Sequence, residues 1–213
     1  MAAAGRAAAG RVLTLGLTGG IASGKSAVAA MLVGHGAVHI DYDLLARRVV
    51  EPGTAGLAAL VKEFGPSVLT PEGALDRAGL GALVFSDRAA RARLDEITHP
   101  LVNAAADAAQ DAAPDGSVVL HDIPLLVEAG RAGDFDHLVV VDVPVRVQVE
   151  RLMARDGMSA AQARARVGAQ TSRTERLAVA GTVIDNSGPL AATRAQVDRL
   201  WAEVVLPGEA WRR

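Results

Sequence analysis

An eight-residue stretch near the start of the chain has the residue types and spacing of a phosphate-binding loop. It reads Gly-Gly-Ile-Ala-Ser-Gly-Lys-Ser over residues 19–26. In such a loop the glycines let backbone N–H groups surround phosphate oxygens, the lysine reaches the outer phosphates, and the last hydroxyl can bind Mg²⁺. The alternative is a glycine-rich turn without a ligand. Because the chain has only two lysines, Lys25 and Lys62, the position of Lys25 favours a nucleotide site.

The nucleotide is predicted to be ATP rather than GTP. Guanine-specific switch proteins carry an Asn-Lys-x-Asp element, whereas Lys62 lies in Val-Lys-Glu-Phe. A chain of 213 residues is short for a motor or an AAA-type ATPase with accessory domains, but it suits a kinase of small metabolites. The predicted ATP-binding residues are Gly19, Gly20, Ile21, Ala22, Ser23, Gly24, Lys25, Ser26 and Ala27.

Two carboxylates, Asp41 and Asp43, directly follow a short predicted strand at residues 37–40. Ligands of open α/β sheets bind at the carboxyl ends of the strands, so both side chains are expected near the phosphate loop. A carboxylate there can deprotonate an acceptor hydroxyl, and another can help to bind Mg²⁺. Both could instead cap a helix that begins at this point, and the two roles are compatible.

Arginines are frequent between residues 146 and 176 and could form a lid over the phosphates. They are Arg146, Arg151, Arg155, Arg164, Arg166, Arg173 and Arg176. Guanidinium groups in a lid can stabilise charge on a transferring phosphoryl group, although solvent-exposed helices also carry arginines routinely. Arg151 and Arg155 are four residues apart and share one helix face, so we select them as candidate catalytic residues.

Strands and helices that alternate along the chain position these residues. The strands are predicted at residues 12–17, 37–40, 117–120, 137–143 and 182–184, and the helices at residues 25–33, 43–50, 54–64, 76–84, 87–113, 146–155, 159–170 and 189–205. This order predicts an α/β P-loop kinase fold, with a five-stranded, mostly parallel sheet flanked by helices. Asp122 and Asp142 lie at the carboxyl ends of the third and fourth strands, the edge where ligands bind. Residues from about 65 to 115 lack a strand and are predicted to form a helical insertion.

Composition excludes several classes of function. Half of the residues are hydrophobic but only three Phe, two Trp and one Tyr occur, which indicates one aliphatic core in a single domain over residues 12–213. A net charge of −2 gives no field that would attract nucleic acid. No apolar run is long enough to cross a membrane, and residues 1–11 are predicted to be a disordered extension.

The side chains most often used for structural metal sites are missing or badly spaced. The chain has no cysteine, which excludes disulfides and thiolate ligands and fits a reducing cytoplasm. His35 and His39 are four residues apart, but Gly34 and Gly36 interrupt any shared helical face. We expect a cytoplasmic monomer or weak homo-oligomer.

The motifs in their order resemble those of the dephospho-coenzyme A kinase family. The matching segments span most of the chain after Arg11, at residues 15–26, 41–47, 75–77, 97–100, 123–128, 155–157 and 185–188. The resemblance implies transfer of the ATP γ-phosphoryl group to the ribose 3′-hydroxyl of dephospho-CoA, with Mg²⁺. It adds two further residues near adenine, Asp185 and Asn186, and a lid at about residues 145–180.

The resemblance also implies roles at the acceptor side. Asp43 would be the general base and, with Ser26, a ligand of Mg²⁺, while Asp41 would support catalysis. The implied contacts to dephospho-CoA are Thr18, Asp41, Arg47, Arg77, His99 and Leu125, with the insertion at about 65–115 forming much of this site. Two alternatives stay open: a kinase of another small alcohol or nucleoside, and a nucleotide-binding regulator that has lost catalysis.

Two residues depart from the family pattern. Ala22 replaces a glycine that is usual in the loop; because it adds only a methyl group, we expect phosphate binding to survive if φ of Ala22 is negative. Tyr42 replaces a small residue between the two aspartates, where its ring could reshape the acceptor site.

Overall fold

The computed structural model of the protein describes residues 12–205, so the predicted N-terminal extension at residues 1–11 lies outside the described residues. The strands are β1 (Leu13–Gly19), β2 (Val38–Asp41), β3 (Val118–Asp122), β4 (His137–Asp142) and β5 (Thr182–Asp185). The helices are α1 (Lys25–Gly34), α2 (Tyr42–Arg48), α3 (Ala55–Phe64), α4 (Arg77–Ser86), α5 (Arg88–Asp111), α6 (Val145–Asp156), α7 (Ala160–Gly168), α8 (Arg173–Ala178) and α9 (Leu190–Leu200). The predicted strands and helices are thus confirmed apart from shifts at their ends.

The five strands form one sheet in the order β2-β3-β1-β4-β5. β1 pairs in parallel with β3 on one side and with β4 on the other, and β4 pairs in parallel with β5. The central position of β1 explains its apolar sequence, because a strand covered on both faces has no solvent side. Leu15 and Leu17 are fully buried, and the phosphate loop begins where this central strand ends.

The chain divides into two compact units. The first contains the sheet, with α1 and α6–α9, and comprises the described residues up to 40 and from 113 onward. The second comprises residues 41–112, in which α2, α3 and α4 all contact the long α5. Its own core is formed by Val50, Leu60, Val68 and Leu80. The helical insertion predicted at about 65–115 falls largely in this unit, which begins earlier because α2 and α3 also pack on α5.

Two local features differ from the prediction. The sequence pattern did not indicate α8, a six-residue helix that begins with a capping box between Ser172 and Glu175; it is too short to show a helical hydrophobic period. The last helix ends at Leu200 and continues as a π-helical turn over Trp201–Val205. Within the described residues, no helix is both long enough and apolar enough to cross a membrane.

Candidate active site

The phosphate loop connects the end of β1 to the start of α1. Gly24 precedes the helix with φ +89°, a conformation that L-residues with side chains rarely adopt. A Cβ atom at this position would also lie 2.1 Å from the side-chain nitrogen of Asn186. Both constraints require glycine here. The N-terminus of α1, with its unpaired N–H groups and dipole, therefore opens directly onto the loop.

Lys25 forms an ion pair with Asp122 at the carboxyl end of β3. Asp122 is only 4% exposed, and its second carboxylate oxygen lies 3.3 Å from Nε2 of His39. A buried carboxylate is stable in its charged form only with such partners. The ion pair therefore holds the Lys25 ammonium at the ligand-binding edge of the sheet.

Side chains outside the loop bind its backbone carbonyls. Arg151 donates through Nη1 to the carbonyl oxygens of Ala22 and Ser23, both at 3.2 Å, and through Nη2 to that of Asn186 at 2.7 Å. Asn186 donates through Nδ2 to the Ser23 carbonyl at 2.7 Å and accepts a hydrogen bond from the Thr193 hydroxyl at 2.8 Å. Arg151, selected from the sequence for contact with the phosphoryl group, thus binds the outer side of the loop in this structure.

The backbone at Ala22 is strained. The condition of a negative φ, set from the sequence for phosphate binding, is not met: φ is +59°, the only positive value at a non-glycine residue in the described part of the chain. The left-handed region brings Cβ close to the following carbonyl and costs about 1–2 kcal/mol for a residue other than glycine. The loop keeps this conformation because the carbonyls of Ala22 and Ser23 are both held from outside.

Asp185 ends β5, and its carboxylate accepts a hydrogen bond from the backbone N–H of Ser187 at 2.9 Å. Hydrogen bonds from Ser187 hold the pKa of Asp185 below its usual value. The neighbouring Asn186 is buried against the loop, so its amide is committed to Ser23 and Thr193.

Two residues predicted to contact the acceptor differ in accessibility. Thr18 is fully buried in β1, and its hydroxyl donates to the Pro124 carbonyl at 3.2 Å. Leu125, just after this proline, is 44% exposed. Leu125 can therefore meet a ligand, whereas the Thr18 side chain supports the turn after β3.

The arginines of the predicted lid have different partners. Arg155 pairs with the adjacent Asp156, whose carboxylate raises the pKa of Arg155 further. Arg173 donates hydrogen bonds from Nη2 and Nε to the Asp142 carboxylate at 2.7 to 3.1 Å. Asp142 lies at the end of β4 and is 8% exposed. Arg176 is buried and donates to the Thr171 carbonyl. Sequence reasoning selected Arg151 and Arg155, but the buried guanidinium group of this set belongs to Arg176 of α8, whereas Arg173 is exposed.

In the second unit, Asp41 and Asp43 begin α2. Asp41 is the N-cap, and its carboxylate accepts a hydrogen bond from the Leu44 N–H at 3.0 Å, so the capping role considered from the sequence is present. Asp43 lies exposed in the first turn, where a negative charge interacts favourably with the helix dipole. Tyr42 between them is 8% exposed, so its ring is buried in the protein.

The second unit also contains a cavity of about 240 Å³. Its lining combines apolar side chains, among them Leu60 and Leu80, with the polar groups of Arg77, Asp95 and Thr98. Arg77 donates from Nη2 to the Arg47 carbonyl at 3.0 Å.

His99 lies on the same helix as Asp95, with Nε2 at 3.6 Å from the Asp95 carboxylate. Arg77 is thus part of the cavity lining, while His99 is largely exposed and is connected to the lining through Asp95.

Sequence reasoning left two carboxylates of this site without a role. Asp122 and Asp142 are the last residues of β3 and β4, and each forms an ion pair in the structure, with Lys25 and Arg173 respectively. Their position at the ends of apolar strands was the available signal. It could not identify their partners, which lie 97 and 31 residues away along the chain.

The comparisons with known proteins agree with this geometry. The sequence profile of the dephospho-CoA kinase family matches residues 13–192. A dephospho-CoA kinase of Thermobifida fusca is 52% identical over 193 residues, covering 91% of this chain and 96% of the relative. A dephospho-CoA kinase of Streptomyces avermitilis is 49% identical over 203 residues, covering 93% and 99%.

Solved structures show the same fold. The structure of TT1252 from Thermus thermophilus aligns with a TM-score of 0.78 at 32% identity, covering 91% of this chain and 98% of that one. A shikimate kinase from Acinetobacter baumannii aligns with a TM-score of 0.52 at 15% identity over 95% and 97% of the two chains, which shows a common fold alone. By its sequence over residues 13–192 and its relatives of about half identical sequence, this chain belongs to the dephospho-CoA kinase family.

Proposed function

We propose that this protein transfers the γ-phosphoryl group of ATP to the ribose 3′-hydroxyl of dephospho-CoA. The observation that carries the proposal is the phosphate loop with its Lys25–Asp122 ion pair, in a chain whose relatives over most of its length are dephospho-CoA kinases. The ion pair places an ammonium group beside the loop, where it would meet the outer phosphates of a bound nucleotide.

The first unit supplies the groups for ATP. The N-terminus of α1 and the loop N–H groups would bind the phosphates, and Lys25 would neutralise charge that builds up on the transferring group. Asp185 and the backbone of Asn186 would lie beside the adenine. Arg173 and Arg176 of α8 are guanidinium groups that could stabilise the phosphates from the lid.

The donor chemistry of the site fits Mg²⁺. Ser26 in the first unit offers an exposed hydroxyl, and Asp43 in the second unit offers a carboxylate; each is a hard oxygen donor of the kind that Mg²⁺ prefers. Residues 12–205 contain no group of three or more acidic, histidine or cysteine side chains placed to hold a metal. Mg²⁺ needs no such group, because it keeps several waters and binds largely through substrate phosphates. When bound, it would neutralise phosphate charge.

The second unit supplies the groups for the acceptor. Asp43 would accept the proton of the 3′-hydroxyl as this oxygen attacks phosphorus, and its exposed position in the first turn of α2 leaves the carboxylate accessible. The cavity lined by Arg77, Asp95 and Thr98 would take part of dephospho-CoA, because it joins apolar walls to a guanidinium group suited to phosphate.

The substrate is tested by comparing dephospho-CoA with its 3′-deoxy analogue. The enzyme should convert the first to a 3′-phosphorylated product, identified by mass spectrometry, and consume no ATP above background with the second. Equal ATP consumption with both would mean that another hydroxyl accepts the phosphoryl group. Tight ATP binding without turnover on dephospho-CoA would instead favour a regulator.

A further inference from the structure

Two glutamine side chains hold the two adjacent peptide groups that flank Ile21 in the phosphate loop. Gln148 of α6 donates from Nε2 to the Ile21 carbonyl at 2.7 Å. Gln170, between α7 and α8, accepts the Ile21 N–H on its Oε1, also at 2.7 Å. Both polar groups of Ile21 are therefore bound by side chains more than a hundred residues away along the chain.

The Gln148 amide has only one useful orientation. Its side chain is 1% exposed, and a Cβ on Gly20 would lie 2.4 Å from its Nε2, so the amide is packed tightly against the loop. Turning the amide over would place Oε1 against the Ile21 carbonyl, oxygen against oxygen. In the observed orientation Oε1 is buried without a hydrogen-bond partner among the described residues. The protein thus leaves one buried acceptor unpaired while it holds the Ile21 carbonyl.

Holding the carbonyls fixes where the N–H groups point. In a trans peptide the carbonyl of one residue and the N–H of the next point in opposite directions, and the described chain has no cis peptide. Gln148 binds the carbonyl of Ile21, and Arg151 and Asn186 bind that of Ser23, from outside the loop. The N–H groups of Ala22 and Gly24 must then point to the opposite side. That side is where a phosphate would be bound.

The same contacts account for the strained residue. The Ile21 peptide precedes Ala22, so its orientation determines φ of Ala22. Gln148 holds the peptide between Ile21 and Ala22, and Arg151 holds the carbonyl of Ala22 on the other side. Ala22 therefore stays at φ +59°. Without these contacts, an alanine would relax to a negative φ and turn the loop N–H groups away from their direction.

We propose that Gln148 and Gln170 are positioning residues that clamp the two peptide groups flanking Ile21 and keep the loop N–H groups directed at the phosphates of ATP. This inference rests on the proposed function only in that the loop binds ATP. Neither glutamine needs to touch the nucleotide. Their contribution is to keep the loop in its binding conformation before ATP arrives, which removes a conformational cost from binding.

The test is direct ATP binding by calorimetry, without acceptor, to Gln148→Met and Gln170→Met. Methionine keeps the length of the side chain and loses the hydrogen bond. Each variant should bind ATP about tenfold more weakly or worse, since a buried backbone group loses its partner. Gln162→Met is the matched control, because the side chain of this exposed glutamine accepts the Ser159 N–H within its own capping box. Its ATP affinity should stay within about twofold of the unchanged protein.

A second experiment distinguishes a role of Gln148 in positioning the loop from a role in packing alone. Glycine adopts a positive φ without strain, so Ala22→Gly should restore part of the ATP affinity lost in Gln148→Met. Circular dichroism at the assay temperature establishes that every variant is folded. The proposal would be overturned if Gln148→Met and Gln170→Met bound ATP within twofold of the affinity of Gln162→Met. It would also be overturned if Ala22→Gly restored none of the ATP affinity lost in Gln148→Met. Failure of the unchanged protein to bind ATP would instead contradict the proposed function.

Discussion

The Lys25 ammonium and the Asp122 carboxylate form an ion pair between the first turn of α1 and the end of β3. Asp122 is almost completely buried, and within the described residues its partners are Lys25 and His39. The carboxylate therefore decides where the ammonium lies. A lysine on a flexible stem needs such a partner if its charge is to meet the phosphates at a defined point.

Asp122→Asn should lower kcat/KM for ATP by roughly tenfold or more, because a hydrogen bond between charged groups contributes about 1.5–3 kcal/mol. Asparagine keeps the shape but removes the charge that holds Lys25. Steady-state kinetics at saturating acceptor measures the effect. Asp198→Asn serves as the control, because it alters a carboxylate on α9 that pairs with His35. Equal kinetics in both variants would show that Lys25 is positioned by other means.

Ala22→Gly should raise the free energy of unfolding by about 0.5–1 kcal/mol. Glycine relieves the backbone strain at φ +59°, and part of this gain is offset because glycine increases the conformational entropy of the unfolded chain. Ala30→Gly in the middle of α1 should have the opposite effect, with a loss of about 0.5–1 kcal/mol. Urea unfolding of both variants checks the two signs. Destabilisation by glycine at position 22 would mean that the left-handed conformation is absent in solution.

Asp43→Asn should lower kcat by about 10²–10⁴-fold, the range that general-base catalysis contributes. Asparagine cannot accept the proton of the acceptor hydroxyl. ATP affinity, measured by calorimetry, should change little, because the phosphate loop is intact. Turnover close to that of the unchanged protein would exclude Asp43 as the base.

Arg77→Met should raise KM for dephospho-CoA and leave ATP affinity unchanged, because Arg77 is the one arginine among the described residues that line the second unit's cavity. Loss of one charge-assisted hydrogen bond to a phosphate predicts a rise of roughly tenfold. Arg91→Met on the exposed surface of α5 is the control. The same KM in both variants would place the acceptor elsewhere.

Stability should decrease as the pH falls below about 6.5, in part because of His137. Burial lowers the pKa of this imidazole from its ordinary value of 6.5. The unfolded chain therefore takes up a proton at a higher pH than the folded chain does, so this contribution to stability is complete above the unfolded pKa and is lost as the pH falls towards the folded pKa. In urea unfolding at pH 7.5 and 5.5, His137→Gln should reduce the difference in stability between the two pH values. An unchanged difference would show that the imidazole does not titrate differently on folding.

The sequence predicted the elements of this fold well because their signals are local. Apolar runs between glycines gave the strands, and the loop at residues 19–26 was identified by its own residue order. The possible N-cap role of Asp41 was likewise read from neighbouring residues and is present in the structure. The short α8 was missed, since six residues are too few for a helical period.

The sequence by itself thus determined the family, the nucleotide loop and the acidic residues at the strand ends. Only the tertiary structure decided which side chains act on the loop. Asp122 meets Lys25, and Gln148, Arg151 and Gln170 bind the loop backbone, although none of these is its neighbour along the chain. The physical reason is that a peptide group has the same donors and acceptors in every residue, so nothing in the sequence pattern of Ile21 or Ala22 shows which distant amide or guanidinium binds them. The left-handed conformation of Ala22 was likewise not predictable from the sequence, because those distant contacts impose its positive φ against the preference of alanine.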